Sequence, residues 1–110
     1  KSCFINFLTQ ISPACDCHAS ADAPIVADLG IMASADPVAI DQASVDLMNA
    51  QPVLAGSRLG SMNPPPTDKI RAVYPNIPWE HQLEYAESLG LGFRDYELIR
   101  VQPPKKKKGR

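Results

Sequence analysis

The sequence predicts an α/β fold, in which a small mixed sheet with flanking helices forms an incomplete part of a larger α/β domain. Two runs of β-branched, aromatic and apolar residues, at 3–11 and 29–34, are typical of buried strands. An aspartate–proline pair begins an amphipathic helix over 36–49, directly after the second run. Strand, tight turn and helix in this order indicate half of a βαβ unit.

The two strand candidates flank a loop. The first, CFINFLTQI at 3–11, is followed by a serine–proline pair that ends it. Residues 13–24 predict a loop, because they combine two prolines, two cysteines and small polar residues. After a short extended piece at 25–27, the second strand candidate, LGIMAS, occupies 29–34.

The helix predicted over 36–49 has a distinct start and an apolar face. Asp36 can accept the free amide hydrogens of the first turn, and Pro37 suits the first helical position. The apolar residues recur at helical spacing: Val38, Ile40, Ala43, Leu47 and Met48. We therefore expect one face of this helix to be buried.

Shorter elements are predicted for the second half, because prolines interrupt it. A threonine–aspartate pair can cap a helix that ends at residue 73, before the next proline. A further helix is predicted over 79–89, and YELIRV at 96–101 alternates well enough for a last strand. Residues 1–102 are therefore predicted to form a single α/β domain, and 103–110 a basic, disordered tail.

Charge is distributed unevenly along the chain, although the net charge is −1. The tail at 105–110 holds five basic residues, and without it six basic and twelve acidic residues leave a net charge of −6. Such a body repels phosphate backbones, so nucleic acid is excluded as a partner. No stretch approaches the roughly 20 apolar residues that a membrane helix needs, so no membrane partner is expected.

Three cysteines are present: Cys3, Cys15 and Cys17. An odd number argues against the disulfide framework of a small secreted protein. Cys15 and Cys17 are only two residues apart, which is an awkward spacing for a mutual disulfide. The cysteines therefore predict a reducing, cytoplasmic compartment in which they remain thiols or metal ligands.

The segment Cys15-Asp16-Cys17-His18 is the strongest candidate for a metal site. Thiolates and imidazole suit iron–sulfur clusters, zinc or copper. Its two cysteines are separated by one residue, whereas zinc sites typically have two to four residues between cysteines. A complete site needs a further ligand from Asp22, Cys3, His81 or another chain. The alternative is a reduced, polar turn with two inert thiols.

Ser34 and Asp36 form a second candidate site. They lie at the carboxyl end of a predicted strand, where α/β sheets bind ligands, and the following helix N-terminus favours a small anionic ligand. The alternative is that Asp36 only caps the helix. A weaker hypothesis is a magnesium-dependent enzyme that uses Asp22, Asp28 or Asp36. The sequence does not define a reaction.

Several stretches together resemble a known family. They are FINFL at 4–8, CDCH at 15–18, SADAPIV at 20–26, GIMAS at 30–34, DPVAIDQASVDL at 36–47, QLEYAE at 82–87, GLG at 90–92 and YELI at 96–99. They resemble the uncharacterised iron–sulfur-centre proteins, one branch of the domain-of-unknown-function family three-six-two. The resemblance covers nearly the whole chain except the basic tail.

The resemblance implies that the chain is the C-terminal portion of a longer protein with a ferredoxin-like cluster segment upstream. It also implies that Cys15 and Cys17 correspond to the family's own cysteine pair. The upstream strands would normally pair with residues 3–11. Without them that strand exposes an apolar edge, and we expect self-association through it.

These predictions lead to two functional hypotheses. The first is an iron–sulfur or metal-binding redox module, in which Cys15, Cys17, His18 and Asp22 ligate an iron–sulfur cluster or a single transition metal. Electron transfer to a redox protein partner would then be its role. The alternative is a non-metal α/β scaffold, or a ligand-binding or interaction domain, with no activity of its own.

Overall fold

The computed structural model describes residues 1–106 and 109. Within these residues the regular elements are, in chain order, β1 (Phe4–Leu8), β2 (Gly30–Ser34), α1 (Pro37–Asn49), α2 (Lys69–Val73) and α3 (Glu80–Ser88). The predicted α/β fold class is confirmed. The strands predicted at 3–11 and 29–34 are present as β1 and β2, and the three predicted helices are present as α1, α2 and α3.

The sheet consists of β1 and β2, which run antiparallel with Phe4 opposite Ser34 and Leu8 opposite Gly30. One sheet face lies on α1, where the Asn6 side-chain amide donates to Asp41 Oδ1 at 2.9 Å and to Ser44 Oγ at 3.0 Å. Side chains alternate between the two faces of a strand, so the neighbours of Asn6 point away from the helix.

The prediction that both strands are buried is wrong for the outer face of the sheet. Ile5, Phe7 and Ile31 are 58%, 66% and 65% exposed, and Ala33 is exposed beside them. These four residues define the open sheet face. Only one helix layer packs on this sheet within the described residues, so the apolar alternation of the strands is buried on one side only.

The helix α1 forms as the sequence predicts. Its N-cap is Asp36, whose side chain accepts from the amides of Val38 and Ala39, and Pro37 occupies the first helical position. The buried face comprises Val38, Ala39, Ile40, Ala43 and Met48. This face packs on the sheet and on the hydrophobic core, which consists of Ile25, Val26, Met48, Leu59 and Val73.

The strand predicted over 96–101 is wrong: these residues have no regular secondary structure. A strand requires a hydrogen-bonded neighbour, and residues 96–102 instead line a groove of about 790 Å³ together with β2. Alternation of apolar residues is therefore not sufficient to form a strand here. The apolar residue Val101 is not buried either, since it is 89% exposed. Within the tail, residues 103–106 and 109 also lack regular structure, while 107, 108 and 110 lie outside the described residues.

None of the helices in the described part of the chain is long and apolar enough to cross a membrane.

Candidate thiol site

The loop between β1 and β2 is fixed at its base. The Ile25 amide donates to the Ile11 carbonyl at 2.8 Å, so the chain returns to the point where the loop began. Ile25 belongs to the core and Ile11 packs against it. The Tyr74 hydroxyl also donates to the carbonyl of Pro13, a buried residue, at 2.6 Å. The loop is thus anchored by both backbone pairing and core packing.

The two cysteines lie in one turn at the exposed end of this loop. The His18 amide donates to the Cys15 carbonyl at 3.0 Å, which closes the turn. The Cys17 amide donates to Cys15 Sγ at 3.4 Å. All residues from 15 to 23 are exposed. The turn therefore presents two thiols to solvent at the end of a loop whose base is held, and we call residues 15–18 the thiol turn.

The two thiols interact with each other. A hydrogen bond from the Cys17 thiol lowers the pKa of Cys15, and the Cys17 backbone amide lowers it further. The same thiol–thiol hydrogen bond raises the pKa of Cys17, because ionisation of Cys17 removes the proton that it donates. Cys15 is therefore the more readily ionised of the two. The thiolate is the form that binds metals and acts as a nucleophile.

The thiol turn alone is not a closed metal site. Among residues 1–106 and 109, no three His, Cys, Asp or Glu side chains lie close enough together to hold an ion. Of the predicted ligands, Cys15, Cys17 and His18 share the turn. Asp22 lies further along the loop, where its Oδ1 accepts from the Ala23 amide at 2.8 Å. This chain alone therefore cannot supply the four cysteines of a typical iron–sulfur site. The turn does supply two sulfur ligands for a soft metal ion.

The other residues considered as metal ligands lie away from the turn. Cys3 is a free, exposed thiol just before β1, and His81 lies on α3. Asp28, considered for magnesium, accepts through Oδ1 from the Gln10 amide at 2.9 Å. The described residues therefore provide no cluster of carboxylates for magnesium.

Ser34 and Asp36 are close together and have structural partners. Asp36 Oδ1 accepts from the amides of Val38 (2.8 Å) and Ala39 (3.0 Å), and Oδ2 accepts from the Phe93 amide at 2.8 Å. Ser34 Oγ accepts from the Asp36 amide at 3.0 Å. Burial by itself raises the pKa of Asp36, but the three amide donors outweigh it and lower the pKa. A ligand-binding role for Ser34 and Asp36 stays a prediction.

Sequence reasoning did not predict the contact between Asp36 and the segment after α3. A Cβ atom on Gly92 would collide with the Asp36 carboxylate, so a larger residue there would displace the side chain that caps α1. Asp36 and Phe93 are 57 positions apart, and no local pattern links them. The groove between β2 and residues 96–102 was missed for the same reason.

The fold and the turn together define a small α/β protein with an exposed pair of interacting thiols on an anchored loop. Residues 2–46 match the family model of a domain of unknown function, DUF362. The matched residues hold β1, the thiol turn, β2 and most of α1, and are fewer than half of the 110 residues. This match supports the resemblance to a domain-of-unknown-function family over that range, and it carries no information on an iron–sulfur centre. No curated protein and no solved structure matches the chain.

Proposed function

We propose that this chain is a metal-binding module, in which Cys15 and Cys17 together bind one soft or borderline metal ion. The observation that supports the proposal is the turn itself, in which the Cys17 amide donates to Cys15 Sγ at 3.4 Å and both cysteines are exposed at the end of a loop whose base is held. Cysteines two positions apart in one exposed turn can direct both sulfurs to one metal ion, which takes the place of the thiol protons.

The proposed metal set follows from the ligand chemistry. Thiolates favour zinc and copper(I) over magnesium or calcium, and zinc accepts both sulfur and imidazole ligands. His18 and Asp22 are the additional ligands proposed from this loop. A more specific version of this proposal is an iron–sulfur cluster that transfers electrons to a redox protein partner. Such a cluster requires cysteines beyond Cys15 and Cys17. A reducing compartment such as the cytoplasm would keep both thiols available.

A competition titration tests the proposal. Reduced protein is titrated with Zn²⁺ in the presence of a chromophoric chelator, and with Cd²⁺ while thiolate-to-metal absorption is recorded. We expect the wild type to bind both ions and the Cys15→Ser, Cys17→Ser double variant to lose this binding. Cys3→Ser is the matched control, because its thiol is also exposed but lies outside the turn. Equal binding by the wild type and the double variant would contradict the proposal.

The open sheet face favours a second candidate function, that of an interaction domain with no activity of its own. Ile5, Phe7 and Ile31 are all more than half exposed on one sheet face. Apolar side chains grouped in this way mark surfaces that another protein covers. The partner proposed for this face is a second copy of the chain, so the test is self-association without metal. A chain that neither binds metal nor self-associates would contradict both candidates.

A further inference from the structure

The thiol turn supplies fewer ligands than a closed metal site needs. A structural zinc ion is held by four ligands in a tetrahedron, and sites built from four cysteine sulfurs are common. Cys15 and Cys17 provide two sulfurs, and the described residues bring no third His, Cys, Asp or Glu side chain into a common group with them. A closed four-sulfur site therefore needs two further thiolates.

A second copy of the chain can supply those two thiolates. The turn lies at the exposed end of its loop, and residues 15–23 are all exposed, so the body does not enclose the thiols. The base of the loop is held by the Ile11–Ile25 pairing and by the Tyr74 bond to Pro13. Because the base of the loop is already held, ordering the turn in an interface costs less conformational entropy than ordering a free segment would, which favours association.

We propose that one zinc ion joins two copies of this chain through Cys15 and Cys17 of each copy. This inference rests on the proposed metal binding by Cys15 and Cys17, and it assigns the remaining two positions to thiolates of a second copy in place of His18 and Asp22. A two-fold axis through the metal makes the two turns equivalent, as in most homodimers. Binding exchanges protons for metal: four thiols release four protons as four sulfur–zinc bonds form, and no electrons are transferred.

Charge affects how readily the two turns meet. Four thiolates around Zn²⁺ leave two negative charges, and each turn also carries Asp16. Two acidic bodies repel each other, and salt screens this repulsion. We therefore expect the zinc-linked dimer to form more readily in moderate salt than in low salt.

Zinc stoichiometry and molecular mass together test the inference. Reduced protein is titrated with zinc chloride, bound zinc is counted per chain, and the mass is measured by sedimentation equilibrium before and after addition of a chelator. We expect about one zinc ion per two chains, and a doubling of mass that the chelator reverses. The Cys15→Ser, Cys17→Ser double variant should show neither effect, and Cys3→Ser should show both.

The other outcomes separate this inference from the proposed function. One zinc ion per chain, with no change in mass, would overturn the two-copy site and leave metal binding by the thiol turn intact. No zinc on the wild type would overturn both. A zinc-dependent dimer of the double variant would overturn the assignment to Cys15 and Cys17. If copies already pair without zinc, the ratio of zinc to chains still decides between these outcomes.

Discussion

At the residue scale, Lys69 shows how a charged side chain is accommodated in a small core. Only 2% of its surface is exposed, and its ammonium donates to the Asn49 carbonyl at 2.7 Å. Asn49 is the last residue of α1, where the helix dipole favours a positive charge. Burial nevertheless lowers the pKa of Lys69, because the charged form loses its hydration.

The lowered pKa of Lys69 has a consequence for the pH dependence of stability. The ordinary pKa of lysine is 10.5, and the pKa of Lys69 in the folded state lies below it. At a pH between these two pKa values, the folded state binds fewer protons than the unfolded state. The free energy of unfolding should therefore rise with pH across this window. We expect denaturant unfolding at increasing pH, up to 10.5, to show this rise in the wild type relative to Lys69→Met.

The exposed residue Lys1 provides the matched control. Lys1→Met should change stability with pH in parallel with the wild type. Parallel curves for the wild type and Lys69→Met would show that burial does not perturb Lys69.

The proximity of Cys15 and Cys17 was predictable from the sequence, because residues two positions apart in one turn lie close together. The position of Lys69 was not. Its backbone amide and its ammonium both bond to Asn49, 20 positions away, and lysine is rarely buried. Only the packing of α2 against the end of α1 brings these groups together.

At the element scale, Asp36 links the start of α1 to the segment that follows α3. Its side chain accepts from two amides of the first helical turn and from the Phe93 amide. A single carboxylate therefore caps α1 and also holds the segment after α3 against the start of that helix. The lowered pKa of Asp36 means that this contribution is present above pH 3.8 and is lost as the pH falls through the folded value.

Asp36→Ala should lower the free energy of unfolding by about 1–2 kcal/mol at neutral pH, because a helix cap and the Phe93 contact are both lost. Thermal or urea unfolding measures the change. Asp16→Ala removes the same charge from an exposed turn and should cost much less. Equal losses in the two variants would show that the effect arises from net charge and not from capping.

Elements with local signals were predictable and those that need a distant partner were not. The capping aspartates at 36 and 68 and the apolar spacing of α1 are features of a few neighbouring residues, and both helices form there. Residues 96–101 carry an alternating pattern of similar quality but do not pair with the described strands. A pattern of period two therefore shows that a segment is suited to a sheet, and the tertiary structure decides whether it joins one.

At the scale of the whole molecule, the open sheet face is an apolar surface that the described residues leave uncovered. Ile5, Phe7, Ile31 and Ala33 form it, and the groove beside β2 lies at the edge of the same sheet. Within residues 1–106 and 109 the sheet has two strands, so both are edge strands there. Edge strands with apolar side chains favour pairing with another chain, so self-association through residues 3–11 remains our expectation.

Replacing apolar residues on this face should weaken self-association and leave the fold intact. We expect Phe7→Thr and Ile31→Thr each to raise the dissociation constant about tenfold or more, since one buried apolar side chain contributes ~1.5–3 kcal/mol. Sedimentation velocity without metal measures this. Leu91→Thr is the control, because Leu91 is 59% exposed but lies outside the sheet. Equal effects of all three variants would exclude the sheet face as the contact.

X-ray absorption at the zinc edge of the zinc-loaded, reduced protein tests metal binding by Cys15 and Cys17 most directly, because it identifies the atoms bonded to the metal. We expect sulfur neighbours at about 2.3 Å in the wild type and in Cys3→Ser, and no sulfur shell in the Cys15→Ser, Cys17→Ser variant. Zinc surrounded only by nitrogen and oxygen in the wild type would contradict the account, as would a sulfur shell that persists without these two cysteines.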